Sequence, residues 1–245
     1  MKKTGERIIR IIDSLINTLV GLVCVVIMFV SCYSLWDNYR LHQQAGDPSL
    51  LTYKPTLNAD GFDLASFLML ENQAGWLNIG GTYIDYPVMQ AEDNFYYLNM
   101  DPYDEFQLSG SIFLDYRNAR DLTDPFSMIY GHHMDHNSMF GALDLYADEA
   151  YFEDHKVGWI ATEQGVYQLN MFAVAWGMGD DWIIFNPEGK TAEDVMPYIQ
   201  EHSVIYRDYV PGKRIVALST CAGETDLSRL IVFGMLGDNP IRKIK

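Results

Sequence analysis

A chain of 245 residues that is 49% hydrophobic and 13% aromatic has enough apolar side chains for a sizeable core, which excludes a disordered or collagen-like polypeptide. A formal net charge of −16 leaves no excess of Lys and Arg for phosphates, which argues against nucleic acid as a partner. Three cysteines are too few for a disulfide-dense scaffold.

From Ser14 to Trp36 no residue is charged, and Asp13 and Asp37 bracket the run. A bilayer core of roughly 30 Å takes about 20 such residues as a helix, so residues 14–36 are predicted to be a transmembrane anchor. Lys2, Lys3, Arg7 and Arg10 precede it. The positive-inside tendency therefore leaves residues 1–13 in the cytoplasm and the rest outside the cell membrane, in a single-pass arrangement. A cleaved signal peptide has a shorter apolar core, about 7–15 residues, and a small-residue exit. This run instead leaves through Tyr33, Leu35 and Trp36, which suit an uncleaved interfacial anchor. Two readings compete. A lipoprotein would use Cys32, but the apolar run continues past it. A buried core helix seldom needs this length without a charge. Residues 1–36 carry +2, so −18 falls on residues 37–245. Most of that charge reads as a solvated face; the alternative is attraction of a basic partner segment.

Residues 37–59, with Gln43-Gln44, Gly46-Asp47-Pro48 and Lys54-Pro55, read as a stalk with a short helix. Residues 60–245 form the extracytoplasmic domain. Phe62, Leu64, Ala65, Leu68 and Met69 recur at helical spacing, with Asp60 or Asp63 as cap. Strands are then predicted at 76–79, 83–89, 111–115, 127–130, 157–162, 166–177, 214–220 and 230–236, each rich in β-branched or aromatic residues and bounded by Gly, Pro, Asn or Asp. Short helices are predicted near 92–99, 138–153 and 191–205, the last opened by Thr191-Ala-Glu-Asp194, a capping-box outline. This pattern is mostly β with added helices and suggests a closed barrel rather than a βαβ sheet. There is no glycine-rich phosphate loop and no CxxC pair.

Cys24 and Cys32 lie in the apolar run, so Cys221 is the one thiol of residues 37–245. Such a cysteine is often a small buried hydrophobe. Here Ile215 to Leu218 make a strand, Ser219-Thr220-Cys221 finishes it, and Ala222 to Asp226 make a loop, which presents the thiol at a strand end. A thiol attacks as its thiolate, and an imidazole accepts the proton or stabilises the anion. In Ser127 to Met134, apolar strand residues run into Gly131 and then His132, a second strand-end presentation. The alternative is that these histidines are exposed loop residues. Arg229 opens the next strand, eight residues past Cys221. If the two strands pair, their facing ends bring Arg229 beside Cys221, where a guanidinium stabilises an oxyanion. The alternative for Arg229 is an ion pair with Glu224 or Asp226. His132, His133 and His136 also invite a metal reading. Adjacent histidines seldom face one ion, however, and no nearby Cys or Glu completes a ligand set.

Leu218-Ser219-Thr220-Cys221 followed by Arg229, with Tyr130-Gly131-His132 upstream, resembles the signature of the sortases, membrane-anchored cysteine transpeptidases of Gram-positive bacteria. Gly110 to Asn118, Ile129 to Met134, Gly75-Trp76-Leu77 and Ile84 to Val88 resemble class B segments, and the likeness covers roughly residues 60–237. It implies an eight-stranded sortase-type barrel with a helix between its sixth and seventh strands. It implies Cys221 as nucleophile, His132 as general acid/base and Arg229 as oxyanion or substrate-orienting cation. Thr220, beside the cysteine, is implied in substrate positioning. The implied partners are secreted proteins with a C-terminal sorting signal and an amine acceptor, either a peptidoglycan precursor or a pilin lysine. No cofactor or metal is called for; the acidic stretch Asp101 to Glu105 reads as a solvated loop, with cation binding as the alternative. Two other functions compete: a cysteine peptidase that hydrolyses the same thioester, and a membrane-anchored binding module with an inert thiol.

Overall fold

The computed structural model describes residues 2–45, 47–58, 61–63, 69–221 and 228–240. Two compact units divide the chain at residues 43 and 44. The first is the helix α1, Lys2–Ala45, which continues on both sides of the uncharged run. Its stretch Gly5–Asp37 is long and apolar enough to cross a membrane.

The second unit is built on strands. A 3-10 turn at Pro48–Tyr53, capped by Asp47 accepting from Ser49 N, opens it. Strands β1 (Thr56–Asn58) and β2 (Gly61–Asp63) pair antiparallel. This corrects the helical reading at 61–63: Gly61, Phe62 and Asp63 pair with Asn58, Leu57 and Thr56, and that pairing outweighs the spacing of the apolar residues. The rest of that expected helix, residues 64–68, lies outside the described residues.

The remaining strands are β3 (Gln73–Ile79), β4 (Asp85–Met89), β5 (Ile112–Leu114), β6 (Phe126–His132), β7 (Val157–Thr162), β8 (Gly165–Met178), β9 (Ser203–Tyr206), β10 (Arg214–Cys221) and β11 (Ser228–Leu236). Eight of them hydrogen-bond in the order β11-β10-β6-β5-β4-β3-β7-β8, and β8 pairs back to β11, which closes the barrel. These are the eight strands expected from the sequence. The ninth, β9, extends from the outer side of β8 and was not expected; its four residues fall where the predicted helix 191–205 ends.

Closure explains why β10 and β11 read as continuous apolar runs rather than alternating ones. Both of their faces are buried. Phe126, Met128, Ala173, Ala175, Ile215, Ala217, Ile231 and Phe233 form one packed cluster with Ile184, Val195, Tyr198 and Ile199. Those last four come from α3 (Trp182–Phe185) and α4 (Ala192–His202), which cover the barrel's outer face. The alternate residues Val174, Val216, Leu218 and Val232 are at most 1% exposed and face the barrel interior. Helix α4 stands between the sixth and seventh barrel strands. It opens with a complete capping box: Thr191 Oγ1 accepts from Asp194 N and Asp194 Oδ2 accepts from Thr191 N. A 3-10 stretch at Gly141–Ala147 and helix α2 (Glu149–Asp154) fill the predicted 138–153 segment.

Candidate active site

Strands β6 and β10 run parallel, with Ser219 opposite Tyr130, Thr220 opposite Gly131 and Cys221 opposite His132. On the other side of β10, β11 runs antiparallel, with Ala217 opposite Phe233 and Ser219 opposite Ile231. Cys221 is thus in register with His132 on one side, and Arg229 lies near the start of the neighbouring strand β11 on the other. Gly131 makes the rung possible: a Cβ there would stand 2.8 Å from Phe140 Cγ, so β6 passes only as glycine.

His132, Thr220 and Arg229 line one cleft of about 390 Å³. Tyr130, Phe113, Leu98, Asn94, Arg117 and Phe185 complete its floor and walls, and Phe95, 77% exposed, stands on its rim. His132 Nε2 donates to the main-chain oxygen of Leu98 at 2.7 Å. The guanidinium of Arg229 packs over Gly179, where an added Cβ would lie 3.0 Å from both Nε and Nη2. The turn that carries Gly179 is pinned by Asp181, which accepts from Met178 N at 3.0 Å and from the Tyr198 hydroxyl at 2.7 Å. The Tyr198 hydroxyl, with that backbone N–H, holds the Asp181 carboxyl below the usual carboxylate range.

Beneath the floor sits a buried carboxylate that the sequence reading did not single out. Asp115 is fully buried. Its Oδ1 accepts from Arg117 N at 3.0 Å and Arg117 Nε at 2.8 Å. Its Oδ2 accepts from Arg117 Nη2 at 2.7 Å, Asn94 Nδ2 at 2.8 Å and Tyr130 OH at 3.0 Å. Burial pushes the Asp115 carboxyl up, and the donors of Arg117 and Asn94 outweigh it, so its pKa is lowered. Arg117 also donates to Asn186 Oδ1 and to Phe185 O, which ties the floor to the α3 wall. The signal for this network was present in Gly110 to Asn118, but local pattern says nothing about which side chains a buried carboxylate gathers.

The other histidines stand apart from the cleft. His133 Nε2 is 2.7 Å from Asp144 Oδ2. His155 and His202 stack on Tyr151 and Tyr198 at helix ends, each with Nδ1 bonded to a carbonyl of the preceding turn. Among the described residues no three or more His, Cys, Asp or Glu side chains are grouped to hold a metal ion. The ion pair of Arg229 with Glu224 or Asp226 falls outside the described residues.

No family model matches the chain. It is 37% identical over 174 residues to sortase B of Listeria monocytogenes, which covers 68% of this chain and 70% of that protein. The chain belongs to the class B sortases. Among solved structures, a Streptococcus pyogenes class B sortase involved in pilus biogenesis superposes with a TM-score of 0.64 at 38% identity, over 69% of this chain and 93% of that one. Sortase B from Bacillus anthracis gives a TM-score of 0.69 at 28% identity, over 83% of this chain and all of the other. The expected family, fold and enzyme class agree with these relatives: this sortase is a cysteine transpeptidase on a closed eight-stranded barrel.

Proposed function

We propose that this sortase is anchored by residues 14–36 with its catalytic domain, residues 60–245, outside the cell, and that it transfers sorting-signal peptides to an amine through a thioester on Cys221. The observation that carries the reading is the shared rung: Cys221 stands in register with His132, and both His132 and Arg229 line the one cleft. A peptide lies along the cleft with its scissile carbonyl at the rung. The Cys221 thiolate adds to that carbonyl, and Arg229 stabilises the charge that develops on the oxygen. His132, as imidazolium, gives its proton to the leaving amine as the C–N bond breaks, leaving the acyl group on sulfur. An incoming amine then adds to the thioester, gives a proton to His132, and expels the thiolate. Thr220, beside the cysteine in the cleft wall, contributes to seating the peptide.

The acceptor is a peptidoglycan-precursor amine or a pilin lysine; the pilus role of the Streptococcus pyogenes relative makes the second as natural as the first. Anchoring confines enzyme, substrate and acceptor to one surface and raises their effective concentration. Incubation of the protein with a sorting-signal peptide, with and without triglycine, tests the reaction. An amide product that depends on triglycine is expected, with a mass increase on Cys221 equal to the acyl fragment. Free acid as the sole product supports the peptidase reading instead. Processing by Cys221→Ala refutes the nucleophile.

A further inference from the structure

The 2.7 Å contact between His132 Nε2 and Leu98 O has one chemical meaning. A carbonyl oxygen has no proton to give, so Nε2 is the donor and carries hydrogen in the neutral ring as well as in the charged one. The lone pair of neutral His132 is then on Nδ1. Leu98 ends the 3-10 turn Tyr96–Leu98, where carbonyls run out of in-helix donors. The turn is held from behind. Leu98 N donates to Phe95 O at 3.2 Å, and Ser111 N donates to Tyr97 O at 2.9 Å. Gly110 closes against it with φ +55°, and a Cβ there would fall 2.5 Å from both Leu98 O and Tyr97 O. A side chain there would press on both carbonyls, in a backbone conformation that favours glycine.

Resting on the reading of His132 as acid/base, we infer that the Leu98 carbonyl, seated by Gly110, is a positioning group that fixes the Nε2–H tautomer and makes Nδ1 the nitrogen that moves the proton. The Cys221 proton passes from Sγ to Nδ1 when the ion pair forms. It passes from Nδ1 to the leaving nitrogen as the C–N bond breaks. Nδ1 then takes a proton from the incoming amine as the C–S bond breaks, and the thiolate–imidazolium pair returns. The Nε2–H bond stays intact throughout. A neutral carbonyl suits this task better than a carboxylate, because it orients the ring without adding a charge next to the imidazolium.

The test uses the full-length protein in detergent micelles with 15N-labelled histidine. Two-bond proton–nitrogen couplings report the tautomer, and His132→Gln assigns the resonance by its loss. The Nε2–H form is expected for the neutral ring; an Nδ1–H form or a mixture overturns the inference. Gly110→Ala, which must displace the carbonyl, is expected to lower kcat about 10- to 100-fold with the KM of the donor peptide within twofold. A folded Gly110→Ala protein with unchanged kcat, or with an effect on KM alone, also overturns it. Should that variant fail to fold, the tautomer of the unaltered protein decides by itself. Processing by Cys221→Ala sinks the underlying reading and leaves the tautomer result standing, so the two failures are distinguishable.

Discussion

Arg229 and Asp115 are both held by the residues around them, and each makes a prediction. A methyl group on Gly179 would press on the Arg229 guanidinium at 3.0 Å, so Gly179→Ala shifts the cation rather than the fold. We expect kcat/KM to fall about tenfold with the melting temperature nearly unchanged; steady-state kinetics beside a thermal melt check it. Arg229→Lys keeps the charge and loses the planar fork, and should cost about 100-fold in kcat. Asp115 is a buried acceptor for Arg117, Asn94 and Tyr130, so Asp115→Ala strands the Arg117 charge and is expected to cost about 3–5 kcal/mol in urea unfolding. Its pKa is depressed in the folded state. The stability it contributes is therefore present above the unfolded carboxylate pKa of about 3.9 and is lost as pH falls through the lower folded value. Unfolding followed from pH 5 downward should show the Asp115→Ala penalty shrinking as pH drops below about 4; a penalty constant with pH refutes the assignment.

At the level of elements, α4 packs on the outer face of β8, β10 and β11. Its start depends on the reciprocal bonds of Thr191 and Asp194. Thr191→Ala removes one side of that box and should lower stability by about 1 kcal/mol, a drop in melting temperature of about 2–4 °C, without changing kcat. Strand β6 is under a sterner constraint. Gly131 lies opposite Thr220 and against Phe140, and any side chain there forces the strand that carries His132 outward. Short elements are where local pattern and final structure part. The 3-10 turns at 96–98 and 141–147 occupy segments that read as helix, and the 61–63 strand exists through its pairing with 56–58.

For the whole molecule, the barrel closes through β8 and β11, and that closure joins the β6–β10 pair to the turn at Gly179 beneath Arg229. The apolar stretch 5–37 makes a prediction of its own. The full-length protein should sediment with membranes and resist carbonate extraction, and a C-terminal alkaline phosphatase fusion should be active, as it is only outside the cytoplasm. An inactive fusion beside an active cytoplasmic reporter reverses the orientation.

The sequence by itself determined the uncharged apolar run, the eight barrel strands and the helix between the sixth and seventh, and it offered a thiol, an imidazole and a guanidinium at strand ends, because each rests on local pattern: a charge-free run, β-branched and aromatic stretches bounded by turn residues, and a cap. Tertiary structure alone decided the rest. Parallel pairing of β6 with β10 set His132 beside Cys221 across 89 positions of chain. Asp115 gathered Arg117, Asn94 and Tyr130, and the Leu98 carbonyl met the His132 ring. A hydrogen bond reaches about 3 Å while the residues it joins stand dozens apart in the chain, and only the closed barrel converts one distance into the other.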